Sequence, residues 1–174
     1  MKIQALVAAS ILALSTFVID DAAAQGRVRV TRQNGEGGVT HVTGANRVGP
    51  NGGQSVGARG VVTDGEGNGA AASGRCARGV QGEACRAGNT TRTADGAVTH
   101  ESGGAFQGAN GASGSTQGGF TRNADGTYSG GRTTSATGAN GAYDAETTYD
   151  SENGVNRTVT CTDPTGAVVA CPTR

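Results

Sequence analysis

The side chains able to do chemistry are few. Cys76, Cys85, Cys161 and Cys171 are the thiols, and His41 and His100 are the only imidazoles. A structural zinc site wants four such ligands at short spacings. There is no C-x-x-C here, so zinc is the weaker reading. An even cysteine count in an exported chain points to disulfides instead. Each close pair brackets a turn: Cys76 and Cys85 flank RGVQGE, and Cys161 and Cys171 flank DPTG. The spacing predicts the bonds Cys76–Cys85 and Cys161–Cys171. Each closure contributes about 2–3 kcal/mol in the loop-entropy model.

The histidines stand in one repeated phrase, Val39-Thr40-His41 and Val98-Thr99-His100. Together they could form a metal pair, or one could act as a general base. Two copies of one half-exposed strand position is the simpler account. DGEGNG at Asp64–Gly69 resembles the opening of a calcium loop, yet Arg75 stands where an EF-hand-like site needs a closing Glu. It reads as a glycine-rich surface turn. No nucleophile elbow and no phosphate-cradling glycine loop occurs. Arg75, Arg78 and Arg86 surround the first cysteine pair without an aromatic nearby in sequence, which speaks against nucleic acid. These patterns predict no enzyme, no metal and no cofactor.

The elements that position these residues come next. Lys2, the apolar run Ile3–Val18 and Ala22-Ala23-Ala24 read as a secretory signal peptide cleaved after Ala24. That predicts an exported protein in the periplasm, at the cell surface or outside, with no transmembrane segment in the mature chain. Every Leu, Ile and Lys falls inside the signal, whereas all 32 Gly fall after it. The bulky apolar residues that remain are 14 Val, two Phe and three Tyr. So few large side chains cannot fill an ordinary two-layer core. Residues 25–174 are expected to form one glycine-rich domain. Residues 27–92 are basic and carry degenerate repeats, 93–152 hold four units, and 153–174 form a disulfide-closed hairpin end.

Those four units begin at Thr93, Gly108, Asn123 and Gly138, fifteen residues apart, and each carries Ala, then Asp or Asn, then Gly. Such repetition governs the fold. Asp-Gly and Asn-Gly suit two-residue type I′ hairpin turns. Thr, Val, Tyr and Ser between them suit strands. The predicted fold is all-β, an antiparallel up-and-down meander of hairpins, as a single extended sheet or a two-sheet sandwich. Asp-Gly turns should line one edge and Asn-Gly turns the other. DPTG at Asp163–Gly166 suits a type I turn with a bulge.

With two-residue loops, one face collects Val98, His100, Phe106, Tyr128, Arg132, Tyr143 and Tyr149, among small residues that include Cys85, Ser115, Gly119, Ala136 and Ala145. The other collects Arg86, Arg92, Glu101, Phe120, Arg122, Asp144, Glu146, Asp150 and Glu152. Arg122 then pairs with Ser129, and Arg157 faces Asp150. Val98, Phe106, Tyr128, Tyr143, Tyr149 and Arg132 form the candidate binding face.

The stretch Thr148–Val169, TYDSENGVNRTVTCTDPTGAVV, resembles a single YD/RHS-type repeat through Tyr149-Asp150, Gly154, Arg157 and Asp163-Pro164-Thr165-Gly166. The resemblance implies β-hairpins and carries no function. The chain as a whole is similar to glycine- and threonine-rich exported repeat proteins of Gram-negative bacteria. Three functional readings follow: a secreted structural or matrix protein that associates with itself, a binding module that takes a glycan or protein on the tyrosine-bearing face, and an exported chain that stays largely disordered.

Overall fold

The computed structural model describes residues 25–172; the predicted signal segment, residues 1–24, lies outside them. Strands run through both halves of the chain: β1 (Gly26–Gln33), β2 (Val39–Val48), β3 (Gln54–Thr63), β4 (Gly69–Gly79), β5 (Gly82–Arg92) and β6 (Val98–Gly108). They continue as β7 (Ser113–Arg122), β8 (Tyr128–Gly138), β9 (Gly141–Asp150), β10 (Gly154–Thr162) and the short β11 (Val168–Val169). All eleven lie in one antiparallel sheet in chain order. Of the two architectures expected, the single extended sheet is the one adopted. The amino-terminal half extends the sheet instead of folding over it. Tyr and Phe are too few, and Gly too many, to pay for a second layer.

The expected two-residue type I′ loops are the main correction. That turn needs positive φ at both central residues, and no residue other than glycine has positive φ among the described residues. Most turns are instead three-residue loops closed by a left-handed glycine. In Thr93–Ala97, the Gly96 amide donates to the Thr93 carbonyl at 2.9 Å, and the Thr93 amide donates to the Ala97 carbonyl at 3.0 Å. Gly96 takes φ 94°. This is a type I turn with a glycine bulge. Asn123–Thr127, Gly108–Ala112 and Asp163–Ala167 repeat the pattern. Only DPTG was expected in this form. Two connections are shorter, pairing Gly79 with Gly82 and Gly138 with Gly141.

Each added loop residue slips the register by one. Arg122 therefore faces Tyr128 rather than Ser129. At the β9–β10 turn the loop is Ser151–Asn153 rather than Asn153-Gly154, a shift of three that sets Arg157 opposite Thr147 rather than Asp150. The slip turns over β5, β7 and β10 relative to expectation. Successive slips cancel for β8 and β9, whose side chains keep the face expected of them. The edges are as expected, with the Asp95-Gly96 and Asp125-Gly126 tips on one and the Asn110-Gly111 and Asn140-Gly141 tips on the other.

Both disulfides pair as the spacing predicts. Cys76 bonds Cys85 across β4 and β5, with Cα atoms 4.1 Å apart. Cys161 bonds Cys171, with Cα atoms 5.3 Å apart, and ties down the carboxyl-terminal edge. A hydrophobic core hardly exists: Ala70 and Cys161 are its buried apolar members among the described residues. Backbone ladders carry the sheet, and glycines let neighbours approach closely. A Cβ on Gly118 would lie 2.5 Å from the Gly131 carbonyl oxygen and 2.9 Å from the Arg132 Cα. At Gly126 only the backbone angle, φ 89°, objects to a side chain, because nothing lies within 4 Å.

Those two glycines should respond differently. Gly126→Ala is expected to cost roughly 1–2 kcal/mol through the left-handed backbone alone. Gly118→Ala should cost more, since a backbone oxygen must move. Urea denaturation of the disulfide-bonded chain measures both; equal costs would remove the close-approach argument.

Candidate functional site

Directly opposed residues in an antiparallel sheet share a face, and alternate residues along a strand share it too. The strand pairings therefore sort every strand residue. Face A contains Val98, Phe106, Tyr128, Arg132, Tyr143 and Tyr149, the complete candidate face. Phe120 joins them opposite His100, with ring centroids 5.6 Å apart, and not the charged side where it was expected. Tyr128 and Tyr149 lie 6.5 Å apart, centroid to centroid. Several rings cover glycines opposite them. A Cβ on Gly114 would lie 2.5 Å from Phe106 Cε1, and one on Gly130 would lie 2.6 Å from the Tyr149 hydroxyl.

The arginines are the larger correction. Arg86, Arg92, Arg122 and Arg157 stand on face A because β5, β7 and β10 are turned over. With Arg27, Arg29, Arg47, Arg59, Arg75 and Arg132 they make ten arginines on one face. Among the described residues no strand Asp or Glu shares it. Glu83, Glu101, Asp144, Glu146 and Asp150 all stand on the opposite face B, with Arg32 and Arg78. Cys85, Ser115 and Gly119 also move to face B, while Ala136 and Ala145 stay on face A. Glu152 sits in the turn between β9 and β10. No protein-family model, curated protein or solved structure matches the chain.

Arg75 and Arg86 are direct cross-strand partners, a repulsive arrangement with no acid beside it. Arg132 is braced across the sheet, donating to Thr116 Oγ1 at 3.1 Å and Ser102 Oγ at 3.3 Å. Arg157 donates to the Tyr143 hydroxyl at 2.9 Å. Face B has a different texture over its amino-terminal half. Val28, Val30, Val42, Val48, Val56 and Val62 lie there among alanines and glycines, with Thr40, Asn46 and Gln54 interspersed.

The two histidines share face A and one transverse row, but β2 and β6 are four strands apart, roughly 19 Å. Each meets a threonine on its preceding strand, His41 Nδ1 at 2.7 Å from Thr31 Oγ1 and His100 Nδ1 at 2.8 Å from Thr90 Oγ1. The geometry fits one repeated position and not a metal pair. Among the described residues no group of three or more His, Cys, Asp or Glu could hold a metal ion. The Asp64 loop satisfies itself, its Oδ1 accepting from the Glu66 and Asn68 amides at 2.8 and 3.1 Å.

Sequence reasoning missed the cationic nature of the candidate face. The signal lay in the turns. Pro164-Thr165-Gly166 aligns on Ala94-Asp95-Gly96, and the bulged turn read at the first would have set the register at the second.

Several turn aspartates accept hydrogen bonds within their own loops. Hydrogen bonds hold five carboxyls below the ordinary aspartate range: Asp64 chiefly through the Asn68 side chain, Asp95 through Thr93, Asp125 through Thr127, Asp150 through Asn153 and Asp163 through Thr165. A depressed folded pKa stabilises the protein above the unfolded value, and this is lost as pH falls through the folded value. The melting temperature should thus hold steady above about pH 5 and fall below about pH 4. Asp125→Asn should flatten that decline; an unchanged profile in a multiple Asp→Asn variant would count against the turns as its cause.

Proposed function

We propose that this chain is an exported, non-catalytic structural protein that associates with itself through face B. The observation that supports it is the unlike character of the two faces of one uncovered sheet. Face A carries ten arginines, so two A faces repel one another. The valine-rich part of face B is built mostly of small and apolar residues, with Arg32 and Arg78 only in its end rows. Val28 is 61 % exposed and Val42 40 % exposed in the single chain. Sheets stack about 10 Å apart when small residues interdigitate. Packing two B faces covers the valines and leaves the cationic faces outward. Two disulfides suit an oxidising compartment, either periplasmic or extracellular. Among the described residues no helix is long and apolar enough to cross a membrane.

Sedimentation of the mature, disulfide-bonded chain tests the reading. Dimers or larger species are expected at micromolar concentration. Val42→Asp should shift the population to monomer with an unchanged β circular dichroism spectrum. Val155→Asp, on face A, should leave association intact. A wild-type chain that stays monomeric at every concentration overturns the proposal.

A further inference from the structure

Two neighbouring rows cross the middle of face A from strand to strand. One holds Arg27, Arg75 and Arg86. The next holds Arg29, Arg59, Arg132 and Arg157. Ser73 and Ser102 stand between arginines of the second row, and Thr116 and Thr134 continue the first beyond Arg86. The rows span ten strands, roughly 43 Å. Where they run together, a trough of about 440 Å³ is lined by Arg75, Arg86, His100, Ser102, Thr116 and Arg132. Gly88 and Gly104 floor it, and a larger side chain at either would crowd the neighbouring strand.

We infer that this band is a binding site for a linear acidic polysaccharide lying across the strands. Charge complementarity gives the sign of the ligand. The face bears guanidinium groups and no strand carboxylate, and guanidinium forks bind carboxylates bidentately. The opposed Arg75 and Arg86 repel in the free protein, and an anion between them relieves that repulsion. The other members of the rows select the class of polymer. Nucleic-acid tracks interleave their cations with stacking aromatics. In these rows the arginines stand among serine, threonine, glycine and alanine, with Val159 at one end, while Phe106, Phe120, Tyr143 and Tyr149 lie in the flanking rows. Hydroxyl side chains both donate to and accept from sugar hydroxyls. The flanking rings offer apolar faces to the sugar ring edges on either side. The site leaves face B free, so it operates whether or not the chain associates with itself.

Titration calorimetry with sodium alginate, a linear polyuronate, tests the site on the mature disulfide-bonded protein. Neutral dextran and a single-stranded oligonucleotide of equal charge serve as comparison ligands. Alginate is expected to bind, more weakly as salt rises, and dextran not to bind. Arg75→Gln with Arg86→Gln should weaken alginate binding at least about tenfold, the equivalent of one lost charged hydrogen bond. The same double variant should melt no lower than the wild type without polymer, because it removes a like-charge pair. Arg32→Gln, on face B, should bind as the wild type does. Equal affinity for alginate in the double variant overturns the inference. So does equal binding of dextran, or tighter binding of the oligonucleotide than of alginate.

Discussion

The left-handed glycine that ends each turn sets the pairing of the strands it joins. A type I turn alone splays a hairpin; a glycine at its fourth position restores the twist. Gly96, Gly111, Gly126 and Gly166 have no neighbour within 4 Å, so backbone angle alone requires them. Once those glycines fix the loop at three residues, parity decides which side chains share a face. The gathering of arginines on face A is therefore a consequence of turn geometry. It does not arise from attraction among the arginines, which oppose it.

The sheet holds together without a core because its hydrogen bonds are nearly all between strands adjacent in sequence. Small residues make this feasible. Threonine and serine pair across strands, as Thr116 with Thr134 and Ser115 with Ser135, both 3.1 Å apart. Rings lean over opposed glycines and supply the side-chain cover that glycine lacks. Consecutive turns on an edge also support each other. Asn34 Nδ2 donates to the Thr63 carbonyl at 2.6 Å, and Asn68 Oδ1 accepts from the Ala94 amide at 2.8 Å. The disulfides close the middle hairpin and the carboxyl-terminal edge, where β11 contributes only two residues.

Much of this was legible in the residues. Fifteen-residue spacing gave the meander, Asp-Gly and Asn-Gly gave the tips, and cysteine spacing gave both bonds. The aromatic set survived because β8 and β9 are each reached through two slips that cancel. The cationic set did not, because Arg86, Arg92, Arg122 and Arg157 sit on the strands that turn over. A dipeptide such as Asp-Gly serves equally in a two-residue loop and at the end of a three-residue one. The flanking alanine does not decide either, since Gly108-Ala109-Asn110-Gly111 closes a three-residue loop and the identical Gly138-Ala139-Asn140-Gly141 a two-residue one. A valine-bearing face was harder to foresee, since Val28, Val42 and Val56 lie in the half whose repeats have decayed.

Every strand pairs only with its neighbours in the chain, so the molecule behaves as a one-dimensional array. Two strands return the chain to the same edge and the same face. A gene encoding such a protein can therefore lose or duplicate thirty-residue blocks while the faces and rims of the product persist. An insertion of one codon in a turn is far more disruptive, because it inverts everything downstream. Length is thus the freely variable quantity in this architecture, and parity the inherited one.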